Sequence, residues 1–343
     1  SRRQPVKNRE LLLAGATLGA VGRARARRAV PVVLADYPGA SADDDRVVLL
    51  GEDIGRLGGV FRVTDGLQKD FGEHRVMDTP LAESALVGAS VGLTYRGFRP
   101  VVEIQFDGFV YPAYDQIVSQ VARLRARSEG LVSVPMVIRI PFGGGIGAVE
   151  HHSESPEAQF VMTAGLKVVS PSNANDAYWM IQQAIAADDP IVFLEPKQRY
   201  WDSATITDEP ALGLHESRVV RAGDDVTVLA YGPTVKTCLQ AAEETEDSLE
   251  VIDLRTLSPL DLEPVYESVR RTGRAVVVHE AAKTLGLGAE LAARITQECF
   301  YSLEAPVQRV TGYDLPYPPC RVEHDHLPSV ERVLDAVDLA KEF

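Results

Sequence analysis

Short, nearly unbroken runs of Val, Ile and Leu recur along this chain, and helical segments separate them. In the first half the runs are RVVLLGED (46–53), RPVVEIQF (99–106), MVIRIP (136–141), LKVVSP (166–171) and PIVFLEP (190–196). Helices are expected between them over 82–95, 111–128 and 173–187. A strand with one wet face alternates apolar and polar residues. A strand apolar at almost every position must be covered on both faces, which helices crossing over a parallel sheet achieve. The second half repeats the pattern in DVTVLAYG (225–232), LEVIDLR (249–255), AVVVHE (275–280) and PVQRVTGY (306–313), with helices near 233–245, 261–272 and 286–299. A polar stretch from Tyr200 to Ser217 separates the halves. The expected organisation is an N-terminal arm without assigned function (1–45), an α/β domain (46–200), a linker (201–217) and a second α/β domain (218–343).

Composition narrows the function classes. A formal net charge of -14 over 343 residues opposes binding to nucleic-acid phosphates. No run approaches the roughly 18 apolar residues of a membrane span. Cys238, Cys299 and Cys320 form neither a zinc-ligand spacing nor a disulfide framework, which points to a reducing compartment. A bacterial cytoplasm is expected, with a mitochondrial matrix as the alternative. Residues 1–30 carry Arg2, Arg3, Lys7, Arg9, Arg23, Arg25, Arg27 and Arg28 against Glu10. That composition suits a transit segment, but no amphipathic period accompanies it, so the stretch reads as an irregular arm.

Ligands of open α/β sheets bind beyond the carboxyl ends of the strands, and three segments at such ends have unusual composition. In RVMDTPLAESALVGASVGLTYRG (75–97), Thr79-Pro80 suits a helix start, with Thr79 capping and Glu83 in the first turn. Glu83 is then either a carboxylate that stabilises the helix terminus or a desolvated proton relay. A stripe of Ala82, Ala85, Ala89 and Gly92 would let another backbone come close. In PFGGGIGAVEHHSES (141–155), consecutive glycines make a mobile or ligand-hugging backbone before His151 and His152. Three readings stay open for these histidines: metal ligation, acid/base work, or an ordinary polar loop. In EIQFDGFVYPAYDQ (103–116), Gln105, Phe106, Phe109, Tyr111 and Tyr114 could line an apolar cleft or simply pack. Absent are a GxGxxG opening a first βαβ unit, a GxxxxGK[ST] loop and a GxSxG elbow, so dinucleotide, P-loop and serine-hydrolase readings lack support.

Together with LLGEDIG (49–55), GGVFRVTDGL (58–67), HHSESPEAQF (151–160), GLKVVSPS (165–172), FLEPK (193–197), VIDLRTLSPLD (251–261) and APVQRVTGYDLPYP (305–318), these segments resemble the beta subunits of thiamine-diphosphate-dependent 2-oxo acid dehydrogenases. The branched-chain group is the nearer likeness, and the match spans about 46–330. The resemblance implies a transketolase-like pyrimidine-binding domain with a parallel sheet, then a transketolase C-terminal-like domain, in an α2β2 heterotetramer. It implies an oxidoreductase in which thiamine diphosphate lies across the α/β interface and the alpha chain holds magnesium and the diphosphate. A 2-oxo acid is decarboxylated, and its acyl unit passes to the lipoyl group of an acyltransferase core that contacts the C-terminal domain.

By motif, Glu83 matches the glutamate that controls the tautomer of the aminopyrimidine ring. Leu81, Gln105 and Phe109 match pocket-lining positions, Phe109 standing where many relatives have Tyr. His152 matches the active-site histidine expected to move a proton during lipoyl acylation, with His151 beside it. Some relatives hold potassium on carbonyls near AIAADDP (184–190), which would place a site at the backbone of Ala184, Ala187 and Asp189. A pyruvate or acetoin enzyme is the alternative substrate reading. A beta chain serving mainly as a docking scaffold for the acyltransferase core is the alternative role.

Overall fold

The computed structural model describes residues 26–28 and 44–343, so the proposed 1–45 arm lies almost wholly outside the described residues. Two sheets organise what is described. The larger runs, edge to edge, Thr256–Ser258, Lys167–Val169, Ile191–Pro196, Val137–Phe142, Arg99–Glu103, Val47–Gly51 and Val76–Asp78. Its pairs are parallel except the one made by Thr256–Ser258. Val47–Gly51, Val137–Phe142 and Ile191–Pro196 are buried at every position, as strands covered on both faces must be. The smaller sheet runs Gln308–Gly312, Ala275–Ala282, Val226–Ala230, Leu249–Asp253 and Arg218–Arg221, parallel but for the last pair.

The expected strands and crossover helices are present with trimmed ends. The helix expected at 173–187 is Ala174–Ala186, started by Asn173, whose side chain accepts the Asp176 N–H. Two expectations fail for identifiable reasons. Thr79 does not cap the helix that carries Glu83: the helix is Glu83–Tyr95, its N-cap is Ala82, and no side chain caps it. Thr79 N–H instead donates to Gly51 O at 3.0 Å, which prolongs the strand pairing and postpones the helix. The single helix expected over 111–128 is three pieces, Tyr111–Gln116, a π turn at Ile117–Val121, and Leu124–Arg127. Apolar spacing does not register a one-residue widening of a turn. Within the expected linker, Ser203–Thr205 forms a strand that pairs antiparallel with Ala26–Arg28.

The strand Thr256–Ser258 follows the second half in sequence but sits on the edge of the first sheet. Arg255 beside it, buried, donates to the carbonyls of Gly213 and Glu216 and pairs with Asp176 at 3.4 Å. The two halves are therefore laced through their backbones.

Candidate active site

Four adjacent parallel strands deliver their carboxyl ends to one corner of the larger sheet. Val76–Asp78 leads to Leu81 and Glu83, Val47–Gly51 to Glu52 and Asp53, Arg99–Glu103 to Gln105 and Phe109, and Val137–Phe142 to the glycine loop and the histidines. Glu83 is partly buried at the first position of its helix, where the exposed peptide N–H groups favour a carboxylate. Leu81 is 81% exposed. The stripe of Ala82, Ala85, Ala89 and Gly92 faces outward and is exposed, so nothing among the described residues desolvates that face.

The desolvated carboxyl at this corner is Glu52. It is buried, neither oxygen has a hydrogen-bond partner among the described residues, and burial together with the Glu83 and Asp53 carboxylates pushes it up to about 7. Beside it, Gln105 Nε2 donates to Asp53 at 3.2 Å.

Phe106 and Phe109 meet His152 edge-on, with ring centroids 4.1 and 5.2 Å away, and the two histidine rings lie 4.3 Å apart. Burial holds the His152 imidazole below the usual histidine range, with His151 and the Lys197 ammonium adding to the effect. Tyr111 and Tyr114 hold the loop rather than line the cleft: their hydroxyls donate to Glu154 Oε2 at 2.7 Å and to Gln159 O at 3.2 Å.

The glycine loop is strapped to the other half of the chain. Gly143, Gly145 and Gly147 adopt positive φ, so their N–H groups can turn toward carboxylates. Gly144 N–H donates to Glu280 Oε2 (2.9 Å), Gly145 N–H to Glu323 Oε2 (3.1 Å) and Gly147 N–H to Glu323 Oε1 (2.9 Å). Tyr317 adds its hydroxyl to Glu323 at 2.8 Å. The mobile-or-ligand-hugging expectation is thus corrected: the backbone hugs its own chain's acids.

Below the corner, Glu103, Arg139 and Glu195 form a buried triad with contacts of 2.6–2.7 Å, and Tyr200 also donates to Glu195. One charged residue inside each of three apolar runs was its sequence signal. Around 184–190, Arg99 donates to the carbonyls of Ile185 and Ala187, the Ala184 carbonyl accepts the Ala187 N–H, and Asp189 pairs with Arg125 and Lys167. A side-chain cation thus serves the Ala187 carbonyl, a backbone N–H serves the Ala184 carbonyl, and Asp189 is engaged through its carboxylate rather than its carbonyl. Among the described residues, no group of three or more His, Cys, Asp and Glu side chains could hold a metal ion.

The residues at this corner fit the pyrimidine end of the thiamine cofactor: an unpartnered buried carboxyl, a second carboxylate at a helix start, and an aromatic wall. Two α/β units of this topology, with ligand-facing loops at the strand ends, define a transketolase-type chain. Residues 39–201 match the family described as "Transketolase, pyrimidine binding domain" and residues 215–333 match "Transketolase, C-terminal domain". A solved "Split gene transketolase, inactive beta4 tetramer" superposes with a TM-score of 0.71 at 22% identity, covering 87% of this chain and 93% of that one. Similar sequences include "Pyruvate dehydrogenase E1 component subunit beta" of Leifsonia xyli subsp. xyli, 56% identical over 86% of this chain and 89% of that protein. "3-methyl-2-oxobutanoate dehydrogenase subunit beta" of Mycobacterium tuberculosis is 54% identical over 87% of each. "2-oxoisovalerate dehydrogenase subunit beta" of Pseudomonas aeruginosa is 47% identical over 84% and 88%. The chain belongs to the beta subunits of 2-oxo acid dehydrogenase E1 components, which are parts of oxidoreductase complexes.

Proposed function

We propose that this chain joins an alpha subunit in an α2β2 tetramer that decarboxylates a branched-chain 2-oxo acid and hands the acyl group to a lipoyl acyltransferase. The observation that supports it most is the convergence of Glu52, Glu83, Gln105, Phe109 and His152 at four adjoining strand ends, beside a helix face open to a partner. When bound, thiamine diphosphate would supply a nucleophilic carbon that adds to the 2-oxo carbon and a cationic ring that takes up the electrons released by decarboxylation. In this reading the Glu83 carboxyl faces the pyrimidine ring, and Glu52, pushed up to about 7 by burial and by the neighbouring Glu83 and Asp53 carboxylates, is a second carboxyl poised to titrate beside it. Leu81 and Phe109 exclude water, and Gln105 fixes a polar edge. His152, its imidazole held below the usual histidine range, moves a proton during reductive acylation: one sulfur of the lipoyl disulfide takes the acyl group, the S–S bond breaks, and the other sulfur leaves as a thiol protonated by His152. Magnesium stays with the alpha chain. The C-terminal domain, with exposed Phe300 and Tyr301, offers a surface for the acyltransferase core.

The EIQF, FLEPK and HHSES motifs support the branched-chain substrate, whereas relatives of comparable identity carry both pyruvate and branched-chain names. The deciding experiment measures decarboxylation of 3-methyl-2-oxobutanoate and pyruvate by this chain alone and with its alpha partner. Activity only in the mixture, favouring the branched acid, supports the reading. A pyruvate preference keeps the mechanism and moves the substrate. Glu83→Gln in the same tetramer should lose at least about 100-fold in decarboxylation with assembly intact, the range for a positioned proton donor. Normal turnover would remove Glu83 from that role.

A further inference from the structure

Lys197 and Asp107 form an ion pair with fully buried side chains, directly beneath the histidine turn. Burial pushes the carboxyl of Asp107 up, to about 6, and the ammonium of Lys197 down, so the pair is costly to keep charged. An apolar pair of similar volume would often fold as well or better. What the charges do beyond pairing is therefore informative. Lys197 Nζ also donates to the carbonyl of His152 at 2.7 Å. The second oxygen of Asp107 accepts the N–H of Glu154 at 2.6 Å. The two bonds grip the backbone on either side of Ser153. Lys197 also lies 5.7 Å from the centre of the Phe106 ring, whose edge-on partner is His152. Gly108, next to Asp107, approaches the His151 backbone so closely that a Cβ there would fall 2.4 Å from its carbonyl oxygen.

We infer that Lys197 and Asp107 are positioning residues for His152, holding its backbone and ring in the orientation needed for proton transfer to the lipoyl acceptor. This rests on the role given to His152 above. The anchor lies at the ends of two strands, Arg99–Glu103 and Ile191–Pro196, so the sheet itself sets the height of the histidine. A purely structural staple would serve the fold equally. The positioning role adds that the ammonium's field falls on the imidazole, in company with His151 and Glu150 on the same turn and Asp107 beneath it.

The test compares the wild-type tetramer with Lys197→Met/Asp107→Asn, which removes both charges but leaves an acceptor for Glu154 N–H. Three quantities are read: amide hydrogen exchange over 150–155, acyl transfer to lipoamide against decarboxylation with an artificial electron acceptor, and the pH midpoint of His152 modification by diethylpyrocarbonate in cofactor-free protein. Exchange should quicken by about tenfold or more, as expected for losing hydrogen bonds to charged groups. Transfer should fall on the order of 10- to 100-fold while decarboxylation holds within about threefold. The modification midpoint should move to higher pH, and Lys197→Arg should restore part of the transfer rate. Unchanged exchange, an unmoved midpoint, or equal loss in both steps would overturn the inference. Should the double variant fail to assemble, Asp107→Asn alone carries the test: slower transfer with faster exchange over 150–155 is expected, and wild-type values of either refute it. His152→Ala separates the two claims. If that variant transfers acyl groups normally, the role of His152 fails, while the exchange data still decide whether Lys197 and Asp107 hold the turn.

Discussion

Replacing Gly108 with alanine probes the site through a contact that no side chain can relieve. A Cβ built on Gly108 lies 2.4 Å from the His151 carbonyl oxygen and 2.8 Å from its Cα and Cβ. Ordinary contact begins at 3.4 Å, so the two backbones must separate by roughly 0.6–1.0 Å. Neither can swing away freely, because Lys197 holds His152 O and Asp107 holds Glu154 N–H. Overpacking of this kind costs about 1–3 kcal/mol. Thermal unfolding of the beta chain should therefore drop by roughly 2–12 °C, at about 2–4 °C per kcal/mol for domains of this size. Displacement approaching 1 Å at a catalytic group can cost on the order of 100-fold in rate. Acyl transfer to lipoamide, read in the reconstituted tetramer, should fall toward that limit, with decarboxylation affected less. Wild-type melting together with wild-type transfer would show that the close approach of Gly108 does not set the histidine's position.

Other outcomes follow from the same geometry. Arg139→Met strands Glu103 and Glu195 in the interior and should destabilise by about 3–5 kcal/mol, read by urea unfolding; a loss below about 1 kcal/mol would contradict the buried triad. Glu52 has a raised carboxyl, so its favourable contribution is full below the unfolded value near 4.5 and is lost as pH rises through about 7. Glu52→Gln should flatten that part of the stability profile between about pH 4.5 and 7, and an unaltered profile would deny the shift. Ala89→Leu lies on an exposed face and should change the lone chain's stability by less than about 0.5 kcal/mol, yet block tetramer formation in sedimentation. A normal tetramer would free that face from any interface.

The two α/β units could be read before any coordinates, because a parallel sheet covered on both faces leaves apolar runs that nothing else explains. The segments holding Gln105, Phe109 and His152 stand out for a related reason, since they lie at or beyond the ends of such runs, and Glu83 stands out at an expected helix start; their roles come from the family resemblance. The chain's pattern could not reveal which strand ends adjoin, since sheet order is set by crossovers and not by sequence order. Hence Glu52, one residue past a strand, takes its meaning from Glu83, whose carboxylate acts on it across the sheet corner. Lys197 and Asp107 are 90 residues apart, and Glu280 and Glu323 lie more than 130 residues beyond the glycines they hold. No periodicity spans such distances. The exposed face of Ala82, Ala85, Ala89 and Gly92 shows the same division. Its small residues are visible at helical spacing, but only packing decides that the described residues leave them uncovered, since a helix's own sequence does not say which of its faces meets the core.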